Sequence, residues 1–452
     1  MIAGETKDFY KRTFRTVFPL MVQSLLSSSV NFTDQVMVGR LGVSEIAAVG
    51  AANKIYSIFY LVLYGTCSAL VMFVAQSWGQ KDTDAIGKEM GMAFTVTILW
   101  GILVTTATAI FPDQCMQMFS AEDAVRDSGV RYLTWVSPSY LLLSLIYPLN
   151  YMLRGTQRVT VIMFSTASAV AVKLLVNDVF IFGRWGMPAM GVAGAAFGTV
   201  FTRATELLIL ILYLAVTKNE ILQKMSLMLT YTFRDMRLFL SKALPLAGNE
   251  FLWGVGTTLY FVIYGRIGTE ALAAMSIMST LQTLEQTFVL SFSGASAVII
   301  GNEIGAGNRK RVYRDCARFH RLALIVGIAV SAALLLLIKP VLSIYRVEGT
   351  LTGTYLAQCM MVLCAFLIIN TYNAMNVEGI FRSGGDVKFV LLMDMGGIWF
   401  IGLPLTFLLS EVFHQEIVVV YAAFIVTELY KLPLGIWRYK SGKWLKELAI
   451  LQ

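Results

Sequence analysis

Apolar residues in this chain come in long runs, without the strict alternation of strands or the single stripe of a surface helix. Twelve runs are each long enough to cross a bilayer, near 14–38, 47–76, 90–111, 131–153, 160–182, 192–216, 239–264, 271–300, 319–338, 352–379, 389–410 and 416–437. A crossing takes about 20 residues. Hydrocarbon offers no water to backbone N–H and C=O groups, so runs of this kind fold as helices. The pattern predicts an all-α polytopic membrane protein with 12 transmembrane helices. The first run follows a short basic N-terminus (Lys7, Lys11, Arg12, Arg15), and no small-residue cleavage site follows it. It reads as a retained span and not as a cleaved signal.

The pattern repeats. Gly39-Arg40-Leu41-Gly42 reappears as Gly265-Arg266-Ile267-Gly268, 226 positions later. Pro19 and Pro245, Ala47-Ala48 and Ala273-Ala274, Gly79 and Gly305, and Gln76 and Asn302 keep the same offset. Between the repeats, residues 217–238 form the main polar interruption. We read an N-lobe over 1–216 with spans one to six, a cytoplasmic linker over 217–238, and a C-lobe over 239–452 with spans seven to twelve and a short basic tail. An even number of spans per half makes the two pseudo-symmetric six-helix lobes parallel repeats, related by an axis along the membrane normal. The stretch Gly186–Thr199 is rich in small residues, and the Gly194/Gly198 spacing lets helices approach closely.

Composition agrees, with 57% hydrophobic and only 14% charged residues, and a mean hydropathy of +0.68. A soluble domain carries about a quarter charged residues. The net charge of +8 would permit nucleic acid as a partner, but the placement of the basic residues argues otherwise. Of 36 Lys and Arg, counting those at span edges with the adjoining connection, 25 fall at the termini or at even-numbered connections, seven at odd ones or their edges, and four lie deeper inside spans (Lys54, Lys173, Arg203, Lys431). The positive-inside rule then puts both termini in the cytoplasm of a multi-pass cell-membrane protein. Clusters such as Arg309-Lys310-Arg311-Arg314 read as topology determinants beside anionic lipid. The five cysteines lack CxxC spacing, and His320 and His414 are the only histidines. Neither a metal site nor a catalytic thiol has a ligand or partner set. No HExxH motif or nucleophile–base pair is present, so the chain is expected not to be an enzyme.

Ionisable residues inside hydrocarbon are costly and mark function. The first half holds Asp34, Lys54, Lys173, Asp178, Arg203 and Glu206, which sum to zero, with Arg203 and Glu206 spaced to pair on one helix. In the second half Glu250, Glu285, Asp394 and Glu428 face only Lys431, a net of −3 if all are ionised. Such a lining favours cations. Desolvation penalises the charged carboxylate, so a buried acid takes up a proton readily. A site that a proton and a cationic ligand occupy only in turn is the minimum for exchange transport. Candidate substrate contacts are Asp34, Asp178, Glu250, Gln282, Glu285, Asn370, Asn373 and Asn376. Asp178 could equally satisfy the helix end near Gly183, Lys54 could snorkel to the interface, and Glu378 and Asp386 read as interfacial.

Several motifs now agree in order. They are Thr33-Asp34-Gln35-Val36-Met37-Val38-Gly39-Arg40-Leu41-Gly42, the QxWGxxD stretch at Gln76–Asp82 and Pro188–Thr199. The second half adds Asn249-Glu250, Gly301-Asn-Glu-Ile-Gly305, and Phe381-Arg-Ser-Gly-Gly-Asp386 with Asp394, Trp399 and Pro404. Over nearly its whole length the chain resembles the multidrug and toxic compound extrusion (MATE) family. The resemblance implies export of mostly cationic, amphipathic organic molecules driven by inward H⁺ or Na⁺ flow, with no cofactor. Asp34 then matches the first-helix acid of the N-lobe cation site, and Asn177 a polar residue of that site on the fifth span. Lys173 stands where the family often has Asn, which places a fixed positive charge where Na⁺ would bind. An Asp34–Lys173 pair broken by proton binding is the expectation, with Glu250 carrying coupling in the C-lobe. The reading is therefore a proton-coupled exporter that works as a monomer on small cationic molecules, with the lipid bilayer as its other partner and no nucleic acid. Three alternatives stay open: Na⁺ coupling, a lipid-linked oligosaccharide flippase of the wider superfamily (drawing on Lys54 and Lys173), and an unrelated twelve-helix facilitator.

Overall fold

The computed structural model describes residues 2–119, 122–217 and 224–448, so part of the expected linker (218–223) and the last residues of the tail lie outside the described residues. Described residues form helices and turns, with no strand among them. In the first half these are α1 (Ile2–Gly39), α2 (Val43–Gln80), α3 (Thr83–Ile110), the short α4 (Pro112–Gln117), α5 (Asp123–Val136), α6 (Pro138–Gly155), α7 (Val159–Phe182) and α8 (Val192–Val216). In the second they are α9 (Phe233–Ile267), α10 (Thr269–Gly305), α11 (Arg309–Ile344), α12 (Leu351–Ala374), α13 (Val387–Met395), α14 (Leu403–Phe407) and α15 (Ile417–Ser441). α12 runs into a π-helical turn at Met375–Phe381, and two more, Gly396–Gly402 and Leu408–Val412, interrupt the span built from α13 and α14.

Nine of the described helices are long and apolar enough to cross a membrane. α1, α9 and the α5–α6 pair complete the twelve. α5 and α6 act as one span because Pro138 removes a donor at their junction while Ser137 N–H still bonds Leu133 O at 2.9 Å.

Helix starts follow the repeat. Asp82 accepts from Ala85 N–H at 2.9 Å ahead of α3, and Asn308 accepts from Arg311 N–H at 3.1 Å ahead of α11, 226 residues on. Both are short acceptor side chains at the N-cap, where they satisfy one of the orphan amides. Gly42 (φ 153°) and Gly268 (φ 155°) open α2 and α10 in a conformation that side-chain-bearing residues rarely adopt.

The chain divides into two compact units, one of residues 18–247 and one of residues 2–17 with 248–448. The first packs around Phe59, Leu63, Leu133, Tyr140 and Leu143. The second has a core around Met278, Leu356, Leu367 and Tyr421, and another around Phe319, Ile380, Phe381 and Trp444.

The glycines of the Gly186–Thr199 stretch serve packing. A Cβ at Gly194 would lie 2.5 Å from the Phe180 carbonyl oxygen, and one at Gly198 would lie 2.0 Å from Asn177 Oδ1. Gly194→Val therefore forces α7 and α8 apart and should destabilise the protein by about 1–3 kcal/mol. A lowered thermal midpoint in detergent checks this, and an unchanged midpoint would contradict the packing.

Candidate functional site

Each unit holds its own cluster of ionisable side chains. In the unit of residues 18–247, Asp34 on α1 meets two residues of α7 spaced one turn apart. Lys173 Nζ donates to Asp34 Oδ2 in an ion pair, and Asn177 Nδ2 donates to Oδ1 at 2.9 Å. The lysine is 7% exposed and the aspartate 19%. Helical spacing places residues 173 and 177 on one face, so α7 brings two N–H donors to one carboxylate. Gly198 on α8 leaves the room in which Asn177 sits.

A second pair lies on α8, where Arg203 Nη1 donates to Glu206 Oε2 at 3.0 Å. Asn150 of α6 donates to the other oxygen, Oε1, at 3.2 Å. Arg154 Nη2 donates to Gln23 Oε1 of α1 at 3.0 Å, and its guanidinium lies 4.7 Å from the Tyr151 ring centre.

In the other unit, Arg382 Nη2 bridges Glu250 of α9 at 3.1 Å and Glu378 of the π turn at 2.5 Å. Lys431 on α15 bridges Asp394 at 3.0 Å and Glu428 at 2.9 Å. Asn249 Nδ2 donates to Asp394 Oδ2 at 3.3 Å, and Asn373 Nδ2 donates to Glu428 Oε2 at 2.9 Å. Glu285 of α10 is 3% exposed, and its Oε1 has no hydrogen-bond partner among the described residues. Nearby on α10, Gln282 Nε2 donates to the Tyr421 hydroxyl at 3.0 Å. Five carboxylates here face two cations.

The structure brings together Asp34, Lys173 and Asn177, and separately Glu250, Asn373 and their ionic neighbours. It does not bring all the expected residues in. Asp178, one residue past Asn177, turns about 100° away around the helix and pairs with the exposed Arg184 at 3.0 Å. It closes the end of α7 near Gly183 and stands apart from the Asp34 group. Asn376 Oδ1 accepts from His320 Nε2 at 2.9 Å, away from the Asn373–Glu428 contact. Asn370 is half-buried one turn before Asn373. Lys54 is exposed.

The reading of the second-half acids as facing only Lys431 needs correction, as does the interfacial reading of Glu378. Arg382 is buried and takes two of the carboxylates. Glu378 and Arg382 have the i,i+4 spacing of a helical pair, whereas Glu250 comes from α9, 132 residues earlier in the chain. Asp386, also read as interfacial, is buried and holds Arg438 and Lys446 at 2.6 Å each. Sequence reasoning counted Asp394, Glu428 and Lys431 in the charged lining without naming them as contacts, met Asn249 only within a motif, and left Asn150 out. The i,i+3 spacing of Glu428 and Lys431 was the available signal for two of them.

Comparison with known proteins points one way. The MatE family model matches residues 19–179 and 245–408, one stretch in each half. A probable multidrug resistance protein NorM of Halalkalibacterium halodurans is 23% identical over 403 residues, covering 87% of this chain and 86% of that protein. Its counterpart from Agrobacterium fabrum is 25% identical, covering 90% and 88%. An uncharacterized transporter YisQ of Bacillus subtilis is 22% identical, covering 96% and 95%. Among solved structures, a MATE protein in complex with MaL6 superimposes with a TM-score of 0.85 at 15% identity, covering 95% of this chain and 96% of that one. A MOP superfamily transporter from Pyrococcus furiosus does so with a TM-score of 0.83 at 15% identity, covering 95% of each. With twelve helices in this arrangement and the family's pattern in both halves, the chain belongs to the MatE family and is a membrane transporter, not an enzyme.

Proposed function

We propose that this transporter is a proton-coupled antiporter of the cell membrane, exporting cationic or amphipathic organic molecules with both termini in the cytoplasm. The export of varied drugs is consistent with relatives described as probable multidrug resistance proteins. The observation that carries the proton reading is the donor set around Asp34. Both carboxylate oxygens accept N–H groups, from Lys173 and from Asn177. A sodium ion needs oxygen ligands, whereas an ammonium and an amide N–H present positive edges to the same space. A proton has no such requirement. Adding one to Asp34 removes the charge that holds Lys173, so the ion pair and the protonated acid are two alternative states of one site. Alternation between them supplies the two-state element that exchange requires.

The substrate class follows from the other unit. Its excess of carboxylates over Arg382 and Lys431 favours an organic cation. The anionic-cargo alternative drew on Lys54 and Lys173, of which the first is exposed and the second is neutralised by Asp34. They do not make a basic groove.

Two measurements test this. In proteoliposomes, a cationic dye should be transported under an imposed pH gradient without sodium, and Asp34→Asn or Glu250→Gln should cut the rate by about tenfold or more, the size of a lost ionic contact of 1.4 kcal/mol or above. Strict sodium dependence would overturn proton coupling, and transport of anionic cargo alone would overturn the substrate class. The second is a double-mutant cycle read by thermal unfolding. Asp34→Asn strands a buried ammonium and should cost about 3–5 kcal/mol, much of which Lys173→Met in the same chain should restore. Additive losses would contradict the pairing as the source of the effect.

A further inference from the structure

The two halves differ at a helix pair where the repeat would have them match. In the first, Arg154-Gly155 leads through Gln157 (φ 60°) to Arg158, the N-cap of α7. In the second, Arg382-Ser383-Gly384 leads through Gly385 (φ 75°) to Asp386, the N-cap of α13. The same turn thus ends in a cation in one half and an anion in the other.

In the second half the chain fills this place itself. Asp386 takes Arg438 and Lys446 at 2.6 Å each. Phe389, the third residue of α13, meets Trp437 of α15 at 6.1 Å between ring centres, and the Arg438 guanidinium lies 4.7 Å from the Phe389 ring centre. Asp386 is buried and Trp437 is 55% exposed, so a carboxylate sits at the base of the cleft between the two helices and a pair of rings lies across its outer part.

Counting from the same helix starts, the first half has Val161 for Phe389, Leu212 for Trp437 and Tyr213 for Arg438. Val161 and Leu212 are smaller than Phe389 and Trp437, and the first half has a groove of about 610 Å³ here, lined by Arg158, Thr160, Val161, Phe164, Leu212 and Tyr213. Phe164 is 60% exposed and Leu212 52%. In a chain that spans a membrane, such a face meets lipid. No carboxylate among the described residues pairs with Arg158, whose guanidinium lies 5.7 Å from the Trp78 ring centre. Its side chain makes no capping bond either, so the first amides of α7 also lack a side-chain acceptor. A cation, a helix N-terminus and the Thr160 hydroxyl are donors to an anion, and the floor beyond them is apolar. A free phosphate satisfies only the first part. A basic pocket between transmembrane helices at the membrane surface suits a lipid headgroup.

We infer that the α7–α8 groove is a binding site for an anionic phospholipid, with its phosphate at Arg158 and the start of α7, and an acyl chain along Val161, Phe164 and Leu212. The lipid places an anion and apolar bulk where the other half has Asp386, Phe389 and Trp437; neither the Arg158 nor the Asp386 side chain caps its own helix.

Native mass spectrometry of the full-length chain in detergent, with phosphatidylglycerol and phosphatidylcholine at equal concentration, tests the site. Wild type should retain phosphatidylglycerol about fivefold over phosphatidylcholine, the size expected of one basic residue at a lipid surface. Arg158→Gln should bring the ratio close to one, and Arg158→Lys should keep most of the preference. Val161→Phe with Leu212→Trp, the side chains of the other half, should exclude the lipid by about the same factor at an unchanged thermal midpoint. The inference fails if wild type shows no preference, if Arg158→Gln and the filled groove both retain lipid as wild type does, or if glycerol phosphate displaces it.

Discussion

A charge carried into hydrocarbon has to be paired or neutralised, and this cost organises the interior of the protein. Desolvating an ion is expensive enough that a buried cation or carboxylate without a partner is rarely tolerated. Lys173 is therefore tied to Asp34, Arg203 to Glu206, Arg382 to Glu250 and Glu378, and Lys431 to Asp394 and Glu428. Lys173–Asp34, Arg382–Glu250 and Lys431–Asp394 join separate helices or turns of one unit, so these charges also act as clamps. The pairs are balanced in the first unit and leave carboxylates in excess in the second. On the proposed reading, a proton breaks the one-to-one pair in the first, and the excess of carboxylates in the second favours a cationic substrate.

One frame carries different chemistry in each half. The arginine after the fourth span reaches back to a polar side chain just beyond the helix proline in both, but the partner is Gln23 for Arg154 and Glu250 for Arg382. The sixth span carries an i,i+3 ion pair in both, with its direction reversed from Arg203–Glu206 to Glu428–Lys431. Where α2 meets α3, Ser77 donates to Glu89 at 2.5 Å. The corresponding Glu303 and Asp315 are both acids, and Arg12 bridges them at 2.9 and 3.4 Å. Duplication fixed where polar groups sit along the helices, and substitution then chose their charges. The open α7–α8 groove and its filled counterpart belong to the same series.

Much of the architecture was legible in the amino-acid sequence, because hydrocarbon leaves a chain few options. Run length, the lack of alternation, the 226-residue repeat and the placement of Lys and Arg are local or additive features, and they specify helices, halves and candidate charges without any knowledge of packing. The α7 face carrying Lys173 and Asn177 was legible for the same reason, since a helix places residues four apart together.

What tertiary structure alone decided is which charge meets which. Arg382 lies past the end of the expected tenth span, yet it is buried between Glu378, one turn before it, and Glu250 of α9. Asp386 reads as interfacial, yet α15 and the tail close over it. Asp178, beside Asn177 in sequence, points elsewhere because one helical step is about 100°. Sequence by itself determined the helices and the charges that lie within apolar runs, since both depend on short windows of residues in a uniform solvent. The pairings depend on helix register and approach over a few ångströms between segments more than a hundred residues apart, and only the folded chain fixes those.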